Sequence, residues 1–146
     1  MDTHVRDNLN YLNDLRLKYG QVTADVTGIA GTETDIITAP AFTPISSSRL
    51  LVISFRCRST IANTSTGVFT FRIKEGSTTL NEINLRTGST STSAEYVTTW
   101  TYVASPSAAS HTYKVTAQRA AGTGTMDIQA ASTYPMQIVV EDIGAA

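Results

Sequence analysis

The chain has 146 residues, the size of one ordinary domain, and 41% of them are hydrophobic, enough for a real core. Charged residues are only 16%, against about 25% in a typical globular chain. With a formal net charge of −1, the sequence lacks the electrostatic footprint of a nucleic-acid or anionic-membrane binder, and neither partner is expected. Ser and Thr take the place of the missing charges. Thr suits strands because its branched Cβ packs well on a pleated surface.

Residues 1–20 predict a short helix. Asp2 or Thr3 caps it, Asp7 lies early, Arg16 and Lys18 lie late, and Gly20 ends it. Val5, Leu9, Leu12 and Tyr19 recur at spacings of four, three and seven, and Leu15 widens the stripe. A helix this short is marginal alone in water, so the stripe must be covered. It packs either against two other copies in a homotrimer or against its own sandwich. Residues 21–33, QVTADVTGIAGTE, read as a linker with room for a short extended piece, VTADVT.

From Thr34 onward, strand-like runs follow at short intervals: TDIITAP, RLLVISFRCRST, GVFTFRIKE, TTLNEINLR, AEYVTTWTYV, HTYKVTAQRA, GTMDIQAAS and PMQIVVED. Several alternate cleanly. Phe69, Phe71 and Ile73 share one face; so do Tyr113, Val115 and Ala117, and Met126, Ile128 and Ala130. The run LLVISF is apolar at alternate and intervening positions, which predicts burial on both faces. About eight strands joined by short turns predict a single antiparallel β-sandwich of jelly-roll type over residues 34–146, mainly β in class.

No catalytic constellation is visible, so the chain is expected not to be an enzyme. His4 and His111 lie far apart, each in a place with a structural explanation, and neither suggests a metal or a general base. No G-x-S-x-G elbow occurs. Glu141 and Asp142 are neighbours on a strand, so they point to opposite faces and read as a solvated strand end. The G-T-G at 122–124 reads as a hairpin turn, since no helix pattern follows it. No cofactor and no metal are expected. Cys57, the single cysteine, excludes an internal disulfide and reads as a small core residue. Asn63-Thr64-Ser65 is a formal glycosylation sequon, idle without secretion. No signal peptide and no run long enough for a membrane span are seen, so synthesis in the cytoplasm is expected. Tyr96, Trp100 and Tyr102 share one side of an ideal strand; such a row can be a sugar-binding platform, and more often is core or the contact between subunits.

Two stretches carry a resemblance. THVRDNLNYL is similar to the helical opening of small structural proteins of tailed bacteriophages, N-T-x-[IV]-R-D-N-L, with Asp2 where that pattern has Asn. SHTYKVTAQRAAGTGTMDIQA and the later MQIVVEDIGAA resemble the ending of phage β-sandwich modules, where a strand, a Gly hairpin, a strand and a terminal V-E-D-I-G recur. The resemblance implies a non-enzymatic virion protein, trimeric on the surface of the particle, of capsid-decoration or head-fibre type. Its partners would be copies of itself and other capsid or tail proteins. The alternative is a tail-tip or tail-fibre module that binds a receptor or a host surface glycan.

Overall fold

The computed structural model describes residues 17–61, 67–88 and 93–145. Ten strands make two antiparallel sheets. They are β1 (Leu17–Val22), β2 (Val26–Ile29), β3 (Thr34–Thr38), β4 (Arg49–Ile61), β5 (Gly67–Glu75), β6 (Thr78–Thr87), β7 (Ala94–Ala104), β8 (Tyr113–Gly122), β9 (Met126–Gln129) and β10 (Met136–Ala145).

Sheet A is organised by the long strand β4. One edge of β4 pairs with β7 throughout, from Leu51↔Ala104 to Ile61↔Ala94, without a register shift. The other edge is shared. β10 occupies it up to Gln137↔Arg56, and β9 takes over from Gln129↔Arg58. β1 then pairs with β10, and β2 with β9. Sheet B runs β3-β8-β5-β6. The chain passes from one sheet to the other at most connections, while β1–β2 and β9–β10 stay within sheet A and β5–β6 is a hairpin within sheet B.

The inward faces meet in one core. Leu51, Ile53 and Phe55 of β4, Phe69, Phe71 and Ile73 of β5, and Met136, Ile138 and Val140 of β10 are fully buried. Phe55 and Phe71 touch across the sheets with ring centroids 6.1 Å apart and planes tilted by 43°, within the range of separations aromatic pairs prefer. The alternations predicted for β5, β8 and β9 each put their apolar set inside.

Four expectations need correction. Leu17–Gly20 is strand rather than the last turn of a helix, so Tyr19 stands in β1, opposite Val139. The cause is tertiary: the open edge of β10 offers a full ladder, which outweighs a weak local helix signal. Residues 3–16 of the predicted helix, with Val5, Leu9, Leu12, Leu15 and His4, lie outside the described residues, as does Asn63. Gly20 is therefore not a helix terminator. It is buried, and a Cβ there would meet Ile138 Cγ2 and the Thr38 carbonyl oxygen at 2.9 Å, so it lets β1 and β3 approach closely.

The expected linker is also structured, because residues 21–22 finish β1 and β2 occupies Val26–Ile29. The run LLVISF is buried on one face only. Leu50, Val52 and Ser54 are half-buried on the outside, shielded by the strands on both sides of β4. Finally, Gly122-Thr123-Gly124 is not a hairpin. It carries the chain from β8 in sheet B to β9 in sheet A, with φ of 87° at Gly122 and 88° at Gly124, a conformation that favours glycine.

Candidate functional site

The two sheets end together. Contacts of β1 with β3 place those strands on one flank, and β4 stacks over β5. The opposite flank is formed by β7 of sheet A and β6 of sheet B. Each is the last strand of its sheet, with an outer edge that no described strand covers. Sheet edges are normally blunted by Lys, Pro, bulges or short length. β7 has none of these: AEYVTTWTYVA is eleven residues long, lacks Lys, Arg, Pro and Gly, and pairs regularly with β4. Its one charge, Glu95, is bound by Arg58, Nη2 to Oε2 at 2.7 Å.

This flank contains most of the predicted aromatic platform. Tyr96, Trp100 and Tyr102 do share a face, but it is the inward one. Trp100 is buried and is not available to a ligand from outside, whereas Tyr96 and Tyr102 are half-buried at the margin of the core. Leu80, Ile83 and Leu85 of β6 are half-buried opposite them. The result is a seam of five partly covered apolar side chains between two uncovered edges. Eleven residues span about 35 Å, and with a two-sheet thickness of roughly 20 Å the flank offers about 700 Å². A stable interface uses about 800 Å² per partner. Val97 and Val103, on the outward face of β7, add exposed apolar surface.

The remaining polar candidates are structural. Asp142 is not solvated; it is 2% exposed. Arg49 Nε donates to both its carboxylate oxygens at 2.9 and 3.0 Å, and Gly144 N–H donates to Oδ1 at 3.0 Å. A register shift between Asp142 and Gly144, with Gly144 at φ 118°, turns the carboxylate onto its own chain. The V-E-D-I-G ending is thus a clasp that fastens the end of β10 to the start of β4. Glu141, on the other face, is exposed.

His111 is buried beside Phe42 and stacked on Tyr113, with Nδ1 2.5 Å from Glu75 Oε1 and Nε2 donating to the Ser107 carbonyl at 3.0 Å. Both ring nitrogens are occupied by protein groups, and the loop before β8 is pinned to the β5–β6 hairpin. Among the described residues, no group of three or more His, Cys, Asp and Glu side chains is placed to hold a metal ion. Cys57 is buried, and burial pushes its thiol up to about 12, so it is not a nucleophile at neutral pH.

On the outward face of sheet B, charge is collected into one network. Glu33 accepts from Lys74 at 2.8 Å, from Thr116 at 2.7 Å and from Arg72 at 3.3 Å. Arg72 also binds Glu82 and Gln118, and Lys114 binds Asp35 at 2.8 Å. Lys74 foremost, with Thr116, holds the Glu33 carboxyl down at about 2. Alternation in β5 and β8 sets Arg72, Lys74 and Lys114 on the face opposite the apolar set, but local sequence does not join them, because the partners lie on four different segments and only the register brings them together.

No protein-family model matches the sequence, and no curated protein matches it. Among solved structures, an insecticidal delta-endotoxin, Cry8Ea1 of Bacillus thuringiensis, is similar with a TM-score of 0.41 at 11% identity over 82% of this chain and 20% of the toxin. Latent PorU from Porphyromonas gingivalis gives 0.46 at 9% identity over 87% of this chain and 12% of that one. PRD1 vertex protein P5 gives 0.40 at 14% identity over 88% of this chain and 73% of that one. The chain thus spans a fifth or less of the toxin and of PorU. Likenesses of this size and identity carry no functional argument.

Proposed function

We propose that the chain is a non-enzymatic structural module of a bacteriophage particle that assembles with copies of itself, as a trimeric capsid-decoration or head-fibre protein on the virion surface. The observation that supports this is the β6/β7 flank: a long β7 edge without the usual protection beside the outer edge of β6, a half-buried apolar seam between them, and nearly neutral surroundings on β7 that let identical copies approach. The resemblance of THVRDNLNYL and of the V-E-D-I-G ending to phage virion modules gives the biological setting. The strand orders fit a jelly roll once β1 with β2, and β9 with β10, are each taken as one interrupted strand. The N-terminal stripe of Val5, Leu9, Leu12 and Leu15 is assigned to the same assembly.

Size-exclusion chromatography with light scattering tests the reading. The wild-type protein is expected at three times the 15.7 kDa protomer mass. Thr99→Lys with Val103→Lys places charges on the outward side of β7, where both side chains are exposed, and is expected to yield a folded monomer. Deletion of residues 1–16 tests the stripe separately. A wild-type protein that stays at 15.7 kDa at micromolar concentration, alone and on addition of its capsid or tail neighbours, overturns the proposal.

A further inference from the structure

The exchange of partners along β4 leaves a mark on the outward face of sheet A. β10 ends its pairing at Arg56 and β9 begins at Arg58, so the residues between β9 and β10 leave the sheet as a short excursion. Ala131 and Tyr134 bridge its neck. Between this excursion and β7 lies a groove of about 290 Å³, lined by Arg56, Arg58, Val97, Thr133, Tyr134 and Pro135, with Cys57 at its floor and Gln137 at one end. Binding pockets for small molecules run from about 300 Å³ upward, so this groove has room for one small ring.

Its charges are unequal. Arg58 is satisfied: Glu95 answers its charge, and its guanidinium carbon sits 5.4 Å from the centroid of the Tyr134 ring. Arg56, two residues along on the same face, is exposed and has no ion-pair or hydrogen-bond partner among the described residues. Gln137 donates its amide nitrogen to Tyr19 Oη at 2.8 Å, and Tyr19 in turn donates to Gln21 at 2.6 Å. That leaves the Gln137 carbonyl oxygen as an acceptor. Val97, 69% exposed, Tyr134 and Pro135 supply apolar walls.

We infer that this groove binds a carboxylated sugar, with Arg56 gripping the carboxylate and the Tyr134–Val97 side packing against the C–H face of the ring. A guanidinium fork matches a planar carboxylate bidentately. One uncompensated positive charge suits a monoanion; a phosphomonoester, close to a dianion at neutral pH, would call on a second cation that Glu95 has already neutralised. The Thr133 hydroxyl and the Gln137 carbonyl match sugar hydroxyls, and an apolar wall beside planar polar groups is what an amphipathic pyranose requires. The site is built within one protomer and does not rest on how copies assemble.

The test is an amide NMR titration of the full chain with glucuronic acid, with glucose and acetate in parallel. Saturable shifts confined to the neighbourhood of Arg56, Val97, Tyr134 and Gln137 are expected with glucuronic acid, and binding about tenfold or more weaker with glucose and with acetate. Arg56→Gln and Tyr134→Ala, at exposed positions, are each expected to weaken glucuronic acid about tenfold with the melting temperature unchanged. Lys114→Gln, on the opposite sheet, leaves binding as it was. The inference is overturned if glucuronic acid produces no saturable shift, if acetate binds as well as glucuronic acid, or if Arg56→Gln binds like the wild type.

Discussion

The two outward faces of the sandwich use their charges in opposite ways. On sheet B, Glu33, Asp35, Arg72, Lys74, Glu82 and Lys114 answer one another across β3, β5, β6 and β8. On sheet A the outward face is mostly Thr and Val, with one satisfied pair, Arg58–Glu95, an exposed Glu141 on β10, and one cation, Arg56, that no described residue answers. A face whose charges are internally paired has little left for a ligand or a neighbour. A neutral face with exposed Val97, Val103, Tyr19 and Tyr134 still has groups to offer. Paired charges hold the outward side of sheet B together, and the groups left open to a ligand or neighbour lie on the outward side of sheet A.

The largest departure from this division lies at the rim of sheet A, where Asp142 and Arg49 form a pair that is buried rather than displayed. Asp142→Ala removes the acceptor for Arg49 and for the Gly144 N–H together. Leaving such partners unsatisfied costs on the order of 3 kcal/mol. A loss of that size in unfolding free energy, read from a lowered denaturant midpoint at unchanged slope, is expected. Hydrogen exchange should quicken at the ends of β4 and β10 while the Val97–Thr101 stretch of β7 is unaffected. Asp142→Asn, which keeps an acceptor for Gly144, should fall between the two. An unchanged midpoint in Asp142→Ala would mean that V-E-D-I-G is not a structural clasp.

How much of this was legible in the sequence follows from the range of the interactions. The eight strands from Thr34 onward were legible because period-two alternation, as at Phe69, Phe71 and Ile73, is written in neighbouring residues. β1 and β2 were not. Their strand character depends on the open edges of β10 and β9, about a hundred residues away or more, and on side-chain patches such as Asp25 Oδ1 accepting Ala130 N–H at 2.8 Å and Asp127 Oδ1 accepting Gly28 N–H at 2.7 Å. The aromatic row at 96, 100 and 102 was legible as a row. Its inward direction was not, since alternation leaves the choice of face to the register with β4. The Arg56 groove exists because β9 and β10 share one edge, a fact of topology that no local pattern records.

Acid should act first on sheet B. Glu33 is held at about 2 against an ordinary value of 4.5. Its folded-state pKa is lowered, so its contribution is fully present above about 4.5 and is lost as pH falls from there towards about 2. Chemical denaturation at pH 7 and at steps below pH 4.5 should show stability declining through that window. In Glu33→Gln this part of the decline should be absent. The loss should be smaller than that of Asp142→Ala, since Glu33 is about a third exposed and water screens its partners. A wild-type profile that matches Glu33→Gln throughout would remove the network from the account of sheet B.

The smallest effect separates the faces most cleanly. Arg72 and Arg56 are both arginines at interior positions of long strands, both outward, and each between two buried residues of its own strand. Arg72 binds Glu33, Glu82 and Gln118; Arg56 binds no described residue. Arg72→Gln should therefore cost about 1 kcal/mol, as expected when several charges share a network rather than a single exposed pair. It should also raise the exchange of amides where β5 meets β8. Arg56→Gln should stay within about 0.5 kcal/mol of wild type, the range for surface changes that break nothing. Paired melting curves of the two variants decide the matter. If Arg56→Gln destabilises as much as Arg72→Gln, Arg56 is part of the fold's own support, and the outward face of sheet A is as closed as that of sheet B.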